Sequence, residues 1–138
     1  GRILALAADI PNSERLQSPE VTVKKRSPLC GSMVTVDAAF EGDTVSAFGQ
    51  DVKACALGQA AASVIGGAII GASFAEVKQA QKALKTLLQE GGPAPLAPFD
   101  GLEVLRPAKD FKNRHASIML SLDATVEAIE QYQAPPLG

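Results

Sequence analysis

Apolar and polar residues alternate in three successive stretches of the chain, and the spacing then turns helical. In "VTVKKR", Val21, Val23 and Lys25 fall on one side and Thr22, Lys24 and Arg26 on the other. That is the period of a strand, with lysines that suit an edge. "MVTVDAAF" places Val34, Val36, Ala38 and Phe40 on one face, and "EGD" at 41–43 reads as a hairpin turn. "TVSAFGQDV" then puts Ser46, Phe48, Gln50 and Val52 on one side. Three strands with short links predict an antiparallel meander. Ahead of them, "GRILALAADIP" reads as a helix stopped at Pro11, and "NSERLQSPE" as loop.

After residue 53 the pattern is helical. A helix of small residues is predicted from about Cys55 to about Ile70. "SFAE" at 73–76 is a capping box, in which Ser73 caps the helix and Glu76 reaches back. The helix it opens carries Phe74, Val77, Leu84, Leu87 and Leu88 on one face. "EGGPAPLAP" at 90–98 ends it, and "FDGLEVLRPA" predicts a short helix. The last helical region lines up Ile118, Leu122, Val126 and Ile129, with a kink expected near Ser121. The predicted architecture is α+β: a three-stranded antiparallel meander with helices packed on one face, in a single domain over 1–138.

Composition narrows the function classes. The chain is 46% hydrophobic and 20% charged, enough for one core and too apolar for wholesale disorder. Thirteen basic and 15 acidic residues give a net charge of −2, with basic residues spread apart from "KKR" at 24–26. With no Trp and one Tyr there is no stacking platform, which argues against nucleic-acid binding. The run at 54–75 is uncharged for 22 residues, but Ala, Gly and Ser insert poorly and Gly66-Gly67 breaks it. It is better read as a small-residue helix in a tight core, in a cytoplasmic protein without a membrane span.

Three residues could carry chemistry. Cys30 sits in the turn "SPLCGS", where Pro28 and Gly31 make deep burial of the thiol unnatural; an incidental thiol is the alternative. Cys55 opens a helix, where unpaired N–H groups favour the thiolate; otherwise it is a small core residue. His115, the one histidine, lies in "FKNRHAS" at the expected start of the last helix and matters only if it converges with the cysteines. There is no Cys-x-x-Cys, Walker loop or dinucleotide fingerprint. On these residues alone the chain is an α+β domain with a candidate thiol or metal site.

The order of the features adds to this. A strand, then "SPLCGS", two strands, "ACALGQAAAS", "LRPAK" and "RHASIML" resembles the iron–sulfur cluster assembly scaffolds of the IscU, SufU and NifU amino-terminal type, over nearly the whole chain. Pro28, Leu29, Cys30 and Gly31 match that family's first ligand turn. Cys55 matches its second ligand, and His115 the histidine of its third segment. Two positions depart: Ser32 stands where the family has Asp, and Ala116 where it has a third cysteine.

The resemblance implies a SufE/NifU-like fold and a non-enzymatic scaffold. It implies Cys30, Cys55 and His115 as the site for a transient iron–sulfur cluster or zinc. It implies a cysteine desulfurase as partner, and an Hsp70-type chaperone recognising Leu105, Pro107 and Lys109. A SufE-like persulfide acceptor or desulfurase activator, and a zinc-binding module that has lost assembly activity, are the alternatives. Three protein ligands leave a [2Fe–2S] cluster in need of an outside thiol or a second subunit.

Overall fold

The computed structural model describes residues 1–28 and 31–134. Its elements are α1 (Arg2–Ala8), β1 (Val21–Arg26), β2 (Met33–Glu41), β3 (Thr44–Lys53), α2 (Ala56–Ala68), α3 (Phe74–Glu90), two 3₁₀ segments (Asp100–Asp110 and Lys112–Arg114) and α4 (His115–Gln133). The three strands form the expected antiparallel meander, ordered β1-β2-β3. Val23, Val34, Val36, Ala38 and Phe40 are buried on the helix-facing side. α4 packs across β1 and β2 while α2 meets β3 and α4, so the core lies between one sheet face and the helices.

One local expectation changes. The register of β2 and β3 slips at Ala39/Phe40, where Phe40 pairs with Val45 although Ala39 pairs with Ala47. Ser46 is therefore the extra residue of a bulge. It faces solvent, and Val45 takes the buried position expected for it, with Phe48 and Gln50 inward as read. α4 runs through Ser121 as one element. The Ser121 hydroxyl donates to Gln50 Oε1 (2.8 Å), and Gln50 Nε2 donates to the carbonyl of Ala62 in α2 (2.9 Å). A polar side chain in the inward row thus has a partner at both amide atoms, between three elements.

α3 opens with both halves of the capping box: Glu76 N–H to Ser73 Oγ (3.1 Å) and Ser73 N–H to Glu76 Oε1 (2.8 Å). It ends at Gly91 in the left-handed conformation (φ 69°). The small-residue helix stops at Ala68, and among the described residues no helix is long and apolar enough to cross a membrane.

The opposite sheet face is covered by an N-terminal strap. Ser63 Oγ donates to the Asp9 carbonyl (3.2 Å) and Asn12 Nδ2 to the Gly66 carbonyl (2.9 Å), which ties residues 9–12 to α2. The Gln50 N–H donates to the Asn12 carbonyl (2.9 Å). Glu14 then crosses Gly49 so closely that any Cβ there would collide with the Glu14 carbonyl. Asp37, opposite Gly49 in β2 and fully buried, anchors the end of the strap through Arg15 and the Leu16 amide.

Candidate functional site

Cys55 is the N-cap of α2, its backbone extended (φ −68°, ψ 169°) as the chain leaves β3. The side chain is half-buried. Burial works to raise its pKa. The Gly58 amide, the Ser117 hydroxyl, the Leu57 amide and the charge of Arg114 outweigh it, and the thiol ends below the ordinary cysteine value. No amide closes a full cap hydrogen bond to the sulfur, so their pull is that of oriented dipoles at a helix start.

The sulfur lies 3.5 Å from Ser117 Oγ, in the first turn of α4. Ser117 Oγ in turn donates to Ser32 Oγ (2.9 Å). Both serines are buried, at 1% and 4% exposure. Ser32 closes the β1–β2 connection, where the Ser27 N–H donates to the Ser32 carbonyl (2.8 Å). With its single proton on Ser32, Ser117 Oγ accepts from the Cys55 thiol, and it favours the thiolate by turning that proton to the sulfur; either way it links the start of α2, the start of α4 and the β1–β2 connection. Cys30 itself lies outside the described residues. Gly31, which follows it, has a positive φ of 70°.

His115 is the first residue of α4, and its Nε2 lies 2.9 Å from the Ala108 carbonyl. A carbonyl only accepts, so Nε2 carries the proton and the lone pair of a neutral ring sits on Nδ1. A ring whose other nitrogen donates to a backbone carbonyl has the usual arrangement of a metal-ligating histidine. His115 and Ser117 are two residues apart, about 200° around the helix. Ser117 turns toward Cys55, while His115 and Ala116 border a groove between α3 and α4. Among the described residues no three His, Cys, Asp or Glu side chains are grouped to hold a metal; the set named from the sequence includes Cys30.

The chemistry of the donors fits a soft metal in part. Cys55 supplies a thiolate favoured by its position, and His115 an oriented imidazole. The hydroxyls of Ser32 and Ser117 are hard donors already engaged with each other, and Ala116 has no donor atom.

Two features of this corner escape the sequence reading. Ser117 is the contact between the segments, and its only signal is a serine two places after the histidine. Gly58 is the other: a Cβ there would lie 2.6 Å from Ser117 Oγ and 2.9 Å from Ala54 Cβ. At an open helical position Gly→Ala gains about 1 kcal/mol. Here Gly58→Ala is expected to cost about 1–3 kcal/mol by forcing α2 from α4. The urea unfolding midpoint gives the sign, and a stabilised variant would show that the two helix starts are not in close contact.

The "LRPAK" segment lies in the Asp100–Asp110 3₁₀ helix. Leu105 is fully buried, whereas Pro107 and Lys109 are exposed. Arg106 is held by Glu103 and donates to the Gly91 carbonyl (3.0 Å). The Ala108 carbonyl that takes the His115 proton belongs to the same segment.

No protein-family model matches this chain, and no curated protein does. Solved structures do. A nitrogen-fixing NifU-like protein (N-terminal) from Brucella abortus is 38% identical, with a TM-score of 0.92 over 96% of this chain and 94% of that one. A protein described as an iron–sulfur cluster assembly scaffold for the SUF system, from Fervidobacterium islandicum, shares the fold at 19% identity and a TM-score of 0.81, over 93% of each chain. A hypothetical protein shares it at 21% identity, a TM-score of 0.81 and 94% coverage of each chain.

Proposed function

The chain belongs to the NifU-like amino-terminal family, and on that premise we propose that it is a scaffold for iron–sulfur cluster assembly, with Cys30, Cys55 and His115 receiving the cargo. One observation supports the reading most directly. The Ser117 hydroxyl touches both the Cys55 sulfur and Ser32, so the start of α2 and the β1–β2 connection meet at the start of α4, while the His115 side chain borders the groove between α3 and α4.

In this reading the Cys55 thiolate attacks the outer sulfur of a persulfide on a cysteine desulfurase. The S–S bond of the donor breaks, the donor's thiolate leaves, and the scaffold holds the persulfide. A two-electron donor from outside reduces that sulfur to sulfide as iron is added. The protein's own part is to present a thiolate at a helix start, to fix the histidine tautomer through Ala108, and to keep the cargo at a rim where partners reach it. It holds and hands on cargo in the cytoplasm without acting as an enzyme. An Hsp70-type chaperone would meet Pro107 and Lys109 at the surface and reach Leu105 only if the 3₁₀ helix opens.

A second reading, a persulfide acceptor, is favoured by the lowered pKa of Cys55 together with the missing ligand at Ala116. A zinc-binding module without assembly activity is a third, supported by the same missing donors.

The test is anaerobic purification with measurement of bound Zn and Fe, followed by addition of a cysteine desulfurase, L-cysteine and Fe²⁺. Visible absorption of a cluster is expected. Persulfide on the protein without a chromophore would select the second reading, and bound zinc with neither signal the third. No metal, persulfide or chromophore would sink all three.

A further inference from the structure

The two edges of the sheet are finished differently. At the β3 edge the Gln50 N–H donates to the Asn12 carbonyl (2.9 Å), the Val45 N–H to the Ala72 carbonyl (3.0 Å), and the Gly71 N–H to the Val45 carbonyl (2.8 Å). The strap and the turn before α3 therefore cover that edge. At the β1 edge the parity of the ladder decides which groups point out. The Ser27 N–H donates to the Ser32 carbonyl (2.8 Å), and the register continues with Lys25 opposite Val34, Val23 opposite Val36 and Val21 opposite Ala38. In an antiparallel pair, residues bonded in this way alternate with residues whose N–H and C=O point away from the partner. Thr22, Lys24 and Arg26 thus turn their backbone groups outward, and among the described residues no hydrogen bond reaches those groups.

The side chains at this edge set its charge. Thr22, Lys24 and Arg26 are exposed on the face away from buried Val23. Lys25, on the other face, pairs with Glu127 (3.2 Å). Lys24 and Arg26 have no ion-pair partner among the described residues. Across the sheet, Lys53 lies in the row of Arg26 and Asp51 in the row of Lys24, so the excess charge at the edge is positive. Lysines deter a neutral or basic strand from an open edge, yet they leave its backbone groups free and favour a partner of opposite charge. A second copy of this chain fits poorly. In the register of greatest overlap Lys24 would lie opposite Lys24 of the other copy, and like charges directly opposite repel.

We propose that β1 is a docking edge for an extended acidic segment of a partner protein, which joins antiparallel as a fourth strand. The main chain of that segment exchanges hydrogen bonds with Thr22, Lys24 and Arg26. Its acidic side chains, at every second position, lie beside Lys24 and Arg26. The inference goes beyond the scaffold reading and does not depend on it.

The probe is a fluorescent peptide, acetyl-Val-Glu-Val-Asp-Val-Glu-Val-amide, titrated with the full chain and followed by anisotropy. Saturable binding is expected, with slower hydrogen exchange at the Lys24 and Arg26 amides. Lys24→Pro removes one outward N–H and no bond to β2, at the kind of place where an edge strand accepts proline. It is expected to weaken binding about tenfold or more with little change in the urea midpoint. Lys24→Glu combined with Arg26→Glu is expected to weaken it by about the same factor. A peptide N-methylated at each acidic residue keeps the charges and loses the ladder donors. The parent chain is expected not to bind it, a result that does not require Lys24→Pro to fold.

Equal binding of the methylated peptide would reduce the effect to charge attraction and overturn the proposal. Indifference to the paired charge reversal, or no saturable binding of the first peptide, would overturn it as well. A dimer of the unliganded chain in sedimentation equilibrium that Lys24→Pro dissociates would assign the edge to a second copy instead.

Discussion

Cys55→Ser is expected to abolish soft-metal binding while leaving the fold as stable as before or more so. Serine is among the preferred N-cap residues, and its shorter, harder oxygen would close the cap that the sulfur leaves open, for a gain of up to about 1 kcal/mol. The same exchange removes the one cysteine sulfur among the described residues. Loss of an outer-shell partner costs about 10–100-fold in metal affinity, and loss of a direct sulfur ligand should exceed that. Co²⁺ titration followed by charge-transfer absorption reads the first effect, and thermal unfolding reads the second. A serine variant that binds cobalt as the parent does would remove Cys55 from the site. One that binds nothing because it has unfolded would contradict the cap argument instead.

Asp37→Ala is expected to destabilise the protein by about 2–3 kcal/mol. The carboxylate is fully buried. It accepts from Arg15 Nη2 (3.1 Å), the Leu16 amide (3.1 Å) and Thr22 Oγ1 (2.6 Å), and pairs with Arg15 Nε as well. Truncation strands buried donors and frees the strap. The cost falls short of a fully buried ion pair because Arg15 is half exposed to water.

The effect has a pH signature. Burial alone would push the Asp37 carboxyl up. The hydrogen bonds from Arg15, Thr22 and the Leu16 amide, together with the Arg15 charge, outweigh that and hold it below the ordinary aspartate value. A carboxyl depressed in the folded state contributes stability that is complete above its unfolded value, near pH 4, and is lost as pH falls through the folded one. The gap in urea midpoint between parent and variant should therefore be constant from pH 7 to about 5 and narrow at lower pH. A gap that stays constant down to pH 2.5 would assign the stabilisation to packing, not to the charge.

Much of the scaffold around the site is legible in the sequence because it rests on short-range rules. β1 and β2 alternate cleanly, and Ser73 and Glu76 announce α3. β3 is legible as a strand but not in all its facing, since the bulge at Ser46 inverts the alternation for one step and no residue type marks it. The strap is invisible to pattern reading for a different reason. Its contacts include backbone carbonyls against Gly49 and Gly66, single hydrogen bonds from Ser63 and Asn12, and one ion pair between residues 22 positions apart, none of which is periodic. The site divides in the same way. The place of Cys55 at a helix start follows from the change in spacing after residue 53, and that of His115 from the onset of the last helix. The meeting of those starts through Ser117, and the His115 bond to Ala108, are tertiary contacts that no local window contains.

The serine pair at the corner also bears on how folding and cargo would be coupled in the proposed scaffold. In small zinc domains, empty ligands leave the chain unfolded, and the free energy of binding is the free energy of folding. Here Ser117 donates to Ser32, and among the described residues every buried side-chain nitrogen or oxygen has a partner. The link between two neutral hydroxyls at this corner needs no metal to form. In the proposed scaffold reading, cargo could then leave without dissolving the fold, and successive rounds of loading and delivery would not pass through an unfolded chain.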